Sequence, residues 1–203
     1  MSQLPPVSME VTDSIAIIRF NRPAERNPLS GATLLELKSI MAELQAHDEV
    51  QAIIFTGAGD VFLSGANIRE LSELDPATAL AFAKLGQKIF QTIADANQVT
   101  IAAVNGYCMG GGLDLALACD IRVAAEAAVF SHPGARLGII TGWGGTQRLP
   151  RLIKKASALE LLLTARRLTA REALALGLVT SLSNLPLQQA MEIANSEMER
   201  AKI

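Results

Sequence analysis

Three consecutive glycines, Gly110-Gly-Gly112, stand two residues ahead of a carboxylate, Asp114, within Asn105-Gly-Tyr-Cys-Met-Gly-Gly-Gly-Leu-Asp-Leu-Ala-Leu-Ala-Cys-Asp120. Glycines at the mouth of a helix leave backbone N–H groups with no intrahelical acceptor, and without a Cβ a ligand can reach them. Asp114 follows Gly111 by three residues, so on a helix its side chain shares a face with the Gly111 amide. Such a pair offers an oxyanion donor and an acid or base to one cavity. The same residues also have a purely structural reading, in which the glycines end a strand tightly and the carboxylate suits the positive end of a helix. A second donor is available in Val61-Phe-Leu-Ser-Gly-Ala-Asn-Ile-Arg-Glu-Leu71, where Ser64-Gly-Ala66 forms an open loop that leaves the Ala66 N–H free before a helix begins near Asn67.

Phosphate chemistry fits less well. No G-x-x-x-x-G-K-[ST] run is present, no lysine follows the glycine cluster, and no G-x-G-x-x-G marks a first strand-to-helix turn. Arg22 and Arg26, in a loop with two prolines and two asparagines, are candidates for an anion or for a solvated surface. Tyr107, Cys108 and Trp143 read as packing, because nothing in the sequence pairs a nucleophile with a base. His47 lies at the polar end of a helix.

The elements that must position these residues follow from periodicity. Apolar β-like runs at 7–12 and 15–20 flank Asp13-Ser14 as a hairpin, and buried strands are expected at 50–56, 99–104, 120–125 and 179–182. Ser30 reads as the N-cap of a helix with Leu34, Leu35, Leu37, Ile40, Met41 and Leu44 on its apolar stripe. The helix near Asn67 is expected to carry Ile68 and Leu71 inward. A helix at about 75–97 has Leu80, Ala83, Ile89, Phe90 and Ile93 on its apolar side, and further helices are expected at 113–118, 151–164, 169–176 and 186–203. The stretch 128–136 carries a strand into a turn, and 137–150 is glycine-rich. Strands alternating with helices make an α/β domain.

The whole chain sets bounds on this chemistry. Its 203 residues suit one domain with a large core, 50% of them apolar and 19% charged. Lys plus Arg number 18 against 20 Asp plus Glu, so no basic field invites nucleic acid and any anion must be met locally. No run of about 18 apolar residues predicts a membrane span, and the start has the character of neither a signal nor a transit peptide. Cys108 and Cys119 fit buried free thiols in a reducing cytoplasm.

In order along the chain, Phe20-Asn-Arg-Pro, Phe62-Leu-Ser-Gly-Ala-Asn-Ile-Arg-Glu-Leu, Asn105-Gly-Tyr-Cys-Met-Gly-Gly-Gly, Cys119-Asp, Gly144-Gly-Thr-Gln-Arg-Leu-Pro, Leu168-Thr-Ala-Arg-Glu-Ala and Gly177-Leu-Val resemble the motifs of the enoyl-CoA hydratase/isomerase family, the crotonase superfamily. The resemblance implies a crotonase-like spiral of repeated β-β-α turns over 1–185, with 186–203 beginning a shortened C-terminal helical segment. It implies a homo-oligomer, a trimer or hexamer, that acts on an acyl-CoA thioester in fatty acid metabolism, with CoA entering as part of the substrate and no tightly bound cofactor or metal. Ala66 and Gly111 would supply the two N–H groups of an oxyanion hole, and Arg26, Ala66, Asn67, Ile68 and Arg69 would hold the CoA moiety.

The chain departs from the family at an informative place. Hydratases of the family flank the substrate with two glutamates. Asp114, a shorter acid, stands at the first position, and Gly134, with no acid, stands at the second; the place of an aspartate in some relatives falls at about Gly142. His132 is the nearest titratable substitute for the second group. One carboxylate favours a family-level hydratase or isomerase built on Asp114, and the missing acid raises as alternatives a decarboxylase or a non-catalytic acyl-CoA-binding homologue. The relatives usually continue into further C-terminal helices that cover the acyl pocket.

Overall fold

The computed structural model describes residues 4–200. The expected hairpin forms from β1 (Val7–Thr12) and β2 (Ile15–Phe20), antiparallel across Asp13 and Ser14. The chain continues through β3 (Pro28–Leu29), α1 (Gly31–Leu44), β4 (Ala52–Gly57), β5 (Val61–Leu63), β6 (Gly65–Ala66), α2 (Ile68–Ser72) and α3 (Pro76–Ala94). Then come β7 (Val99–Val104), β8 (Tyr107–Met109), α4 (Gly111–Ala118), β9 (Ile121–Ala124), β10 (Val129–Ser131), α5 (Gly145–Ile153) and α6 (Lys155–Thr164). The last elements are β11 (Leu168–Thr169), α7 (Ala170–Ala175), β12 (Ser181–Leu182) and α8 (Pro186–Arg200); residues 201–203 of the expected final helix lie outside the described residues.

A three-part unit recurs, and it gives the expected α/β spiral. β4, β7 and β9 are each followed by a short strand, β5, β8 or β10, and then by helix. The first strands pair side by side and parallel in a six-stranded sheet of order β1-β2-β4-β7-β9-β12, while the second strands pair parallel in a sheet of order β11-β10-β8-β5. Both faces of the sheet are covered at its inner strands, which is why β4 and β7 read as nearly continuous apolar runs. In β4, Ile53 and Phe55 enter the main core, while Ala52 and Ile54 face a smaller cluster closed by Ala190 and Ala194 of α8. Two asparagines tie the turns between the sheets. Buried Asn27 donates to the Val61 and Ala58 carbonyls, 2.7 and 3.1 Å away, and Asn105 accepts from the Gly57 N–H and donates to the Gly59 carbonyl.

Several expectations need correction. Leu35, Ile68 and Leu80 are exposed rather than turned inward. Helical periodicity marks an apolar face without saying what lies against it; the start of α3 borders a cavity through Ala79, Phe82 and Ala83, and its core contacts come later, at Ile89, Phe90 and Ile93. The single helix expected at 151–164 is two, and the first begins at Gly145. They meet at Lys154, whose left-handed φ of 73° breaks the run between α5 and α6. α3 ends at Ala94 instead of near Asn97.

Candidate active site

The two stretches that carry the candidate amides come together because two backbones approach closely. Gly65 has a φ of +97°, and a Cβ there would stand 2.9 Å from the Met109 carbonyl oxygen and 3.1 Å from the Gly111 nitrogen. No side chain fits between the loop and the start of α4. Gly111 is the first residue of α4, so its N–H has no acceptor in a preceding turn. β6 is held from the other side by parallel pairing with β3, Ala66 lying opposite Leu29. The Glu70 carboxylate accepts from the Gly31 N–H at the start of α1 and from Asn67 Nδ2, at 2.8 and 3.2 Å. Asn67 caps α2 by accepting from the Arg69 N–H. Ala66 and Gly111 both line a cavity of about 270 Å³.

Asp114 lies in the first turn of α4, wholly buried, and lines the same cavity. The Thr141 hydroxyl donates to Asp114 Oδ2, which leaves Oδ1 facing away from that bond. Burial pushes the carboxyl up to about 7; the Thr141 bond, the Trp143 and Gly145 amides and the Arg148 charge pull the other way without overcoming it. A carboxyl group in this state exchanges a proton near neutral pH.

His132 precedes Pro133 at the end of β10 and is 3% exposed on the cavity wall. Its Nε2 lies 3.5 Å from Asp114 Oδ1, in contact but not hydrogen-bonded, and neither ring nitrogen nor Oδ1 has a protein partner. Burial lowers the imidazole to about 4, so it is neutral beside the carboxyl group. Space for the pair comes from Gly145, where a Cβ would stand 2.1 Å from Asp114 Oδ1 and 3.0 Å from His132 Cε1.

Gly134 lacks an acid, and it also lacks room for one. A Cβ there would stand 2.7 Å from the Ile139 carbonyl oxygen, whereas a Cβ on Gly142 would meet nothing within 4 Å. The rest of the cavity is largely apolar, from Leu71, Leu74 and Phe82 on one side to Ile139 and Ile140 on the other. Trp143 forms part of the wall, 5% exposed, with its ring 5.2 Å from Phe82 and 5.6 Å from Phe90. Its six-membered ring occupies the space beside Gly111 that a Cβ would need.

The remaining candidates scatter. Ile68 lines the cavity mouth and is 59% exposed. Arg26 sits over the Tyr107 ring at 5.4 Å, and its carbonyl accepts from the Ser64 N–H beside the Ala66 loop. Arg22 is turned to the Leu4 carbonyl, 2.7 Å away, rather than to an anion site. Cys108 and Cys119 are buried free thiols, both pushed up by burial, as inert packing residues are. Sequence reasoning passed over Thr141. Its only signal is a hydroxyl, one of two with Thr146, in a glycine-rich stretch leading into a helix.

The sequence profile described as enoyl-CoA hydratase/isomerase matches residues 10–201. A short-chain-enoyl-CoA hydratase of Clostridium acetobutylicum is 40% identical over 205 aligned positions, which cover 99% of this chain and 78% of that protein. A crotonyl-CoA hydratase of Syntrophomonas wolfei is 42% identical over 85% of this chain and 67% of its own length. Among solved structures, an enoyl-CoA hydratase from Bacillus anthracis superposes with a TM-score of 0.90 at 37% identity, over 94% of this chain and 76% of that one. Pseudomonas aeruginosa DspI superposes with a TM-score of 0.91 at 33% identity, over 97% and 81% of the two chains.

Proposed function

The chain belongs to the enoyl-CoA hydratase/isomerase family, and from that premise we propose that it binds an acyl-CoA thioester and stabilises its enolate with the Ala66 and Gly111 amides, using Asp114 as acid and base at the α carbon. One observation carries this reading: the Gly65–Ala66 loop and the start of α4 press together over a cavity that also holds the buried Asp114 carboxyl group. Adding water across an enoyl thioester, or shifting its double bond, places negative charge on the thioester oxygen. Two amides aimed there stabilise it, and losing one such donor costs about 3 kcal/mol. A carboxyl group that titrates near neutrality can then give or take the α proton.

The acyl part occupies the apolar cavity, and the CoA part leaves past Ile68, Asn67 and Arg69 toward Arg26. The exposed Ile68 at the mouth supports this path. CoA enters as part of the substrate, with no tightly bound cofactor. The chain works in the cytoplasm, in keeping with two buried free thiols. It assembles as a trimer or hexamer, which would cover the exposed Leu137, Ile139 and Ile140. A decarboxylase or a non-catalytic homologue, the alternatives raised by Gly134, is not favoured by relatives that are named as hydratases.

Crotonyl-CoA incubated with the protein and followed by mass spectrometry tests the reading. Turnover is expected, and Asp114→Asn should lower it about 10²–10⁴-fold. Turnover unchanged in that variant would remove Asp114 from the chemistry.

A further inference from the structure

We propose that His132 is the second proton-handling group of this cavity, and that its Nε2 and Asp114 Oδ1 together hold the water that adds to an enoyl thioester. The proposal rests on the enolate site described above and specifies how that site hydrates with one carboxylate. Three buried polar atoms in one stretch of wall, Asp114 Oδ1 and both His132 ring nitrogens, have no protein hydrogen-bond partner. Buried polar atoms are nearly always satisfied, so this concentration marks a place for a polar ligand. A water standing beside the pair, off the 3.5 Å line that joins the two atoms, is within hydrogen-bonding distance of both. The opening left by Gly145 keeps the two side chains adjacent, and the Ile139 carbonyl excludes a side chain at Gly134.

The step balances with water as the only co-reactant. Neutral His132 takes one proton from the water as its oxygen bonds to the β carbon. The alkene electron pair moves toward the thioester oxygen, where the Ala66 and Gly111 amides hold the enolate. Protonated Asp114 gives its proton to the α carbon, and the C=O bond re-forms on a 3-hydroxyacyl thioester. Imidazolium and carboxylate are left in contact, and one proton passing from His132 to Asp114 restores the starting pair. The groups that act on Asp114 are the Thr141 hydroxyl, which donates to it, and, through charge, the Arg148 guanidinium and the Cys108 thiol; His132 feels burial alone. Burial favours a protonated acid and a neutral imidazole, the state that the step begins from.

Two reactions of the protein separate this proposal from the reading that it rests on. Exchange of the α protons of butanoyl-CoA in D2O needs the two amides and Asp114, whereas hydration of crotonyl-CoA also needs His132. His132→Gln should lower the ratio of hydration to exchange by about 10²-fold or more. In the unaltered protein, hydration should fall and exchange rise as pH is raised through about 7. Hydration by His132→Gln at the unaltered rate, or exchange without hydration in the unaltered protein, would overturn the proposal. His132→Asn repeats the test with a shorter side chain, and a parallel loss of both reactions in both variants would make His132 structural. Absence of exchange, hydration and acyl-CoA binding in the unaltered protein would remove the enolate site itself.

Discussion

Asp114 and His132 differ from their free forms in opposite directions for one reason, burial in the same wall. For Asp114 the folded value is raised, so the native chain keeps a proton that the unfolded chain releases between about pH 4 and about pH 7. Its contribution to stability therefore falls as pH rises through that window. For His132 the folded value is lowered, so the unfolded chain takes up a proton that the native chain refuses, and its contribution rises from about pH 4 to about pH 6.5. The two slopes oppose each other, and removing one side chain exposes the other. Relative to the unaltered chain, Asp114→Asn should gain about 4 kcal/mol between about pH 4 and 7, and His132→Gln should lose about 3 kcal/mol between about pH 4 and 6.5. Urea midpoints measured at several pH values check both, and parallel curves for all three proteins would contradict the account. Asp114 was legible in the sequence because its distance from Gly111 fixes a helical face. Thr141 was not, because an irregular loop has no period to say where a hydroxyl points.

Among elements, the loop from β10 to α5 decides what the cavity accepts. At Gly134 the first side-chain carbon meets the Ile139 carbonyl, so Gly134→Glu should destabilise by about 1–3 kcal/mol and fail to restore a second carboxylate. At Gly142 the same atom meets open space, and Gly142→Asp should change stability by less than about 0.5 kcal/mol. Thermal melts of the two variants check this contrast, and equal melting temperatures would contradict it. Trp143 closes the wall between α3 and α4. Trp143→Ala should cost about 3–5 kcal/mol in packing against Phe82 and Phe90 while shifting kcat/KM toward longer acyl thioesters. An unchanged chain-length preference would place the acyl group elsewhere. The cap of α1 was readable in advance, and Ser30 accepts from the Thr33 N–H; the capping boxes of Asp75 with Thr78 and of Thr169 with Glu172 appear only in the structure, at starts that the sequence placed within a residue. The break at Lys154 was not, because a lysine in a left-handed conformation leaves no pattern in the sequence.

For the whole molecule, the apolar runs of β4 and β7 were readable as buried strands, and the spiral itself came from the resemblance carried by the order of the motifs. Exposure was the part that periodicity could not reach. Leu137, Ile139 and Ile140 stand 48%, 49% and 68% exposed beside the cavity, and burying them is the task that the proposed assembly would perform. Sedimentation should give a mass of three or six times 21.5 kDa. Ile140→Asp should weaken that assembly, and a monomer at all concentrations would end the proposal. The central claim, that two peptide amides receive a thioester oxygen beside a buried acid, is tested most directly by a crystal structure with acetoacetyl-CoA bound. The account predicts the thioester oxygen about 2.7–3.1 Å from both the Ala66 and Gly111 nitrogens, with the α carbon facing Asp114. A thioester oxygen out of hydrogen-bonding reach of both amides would contradict it.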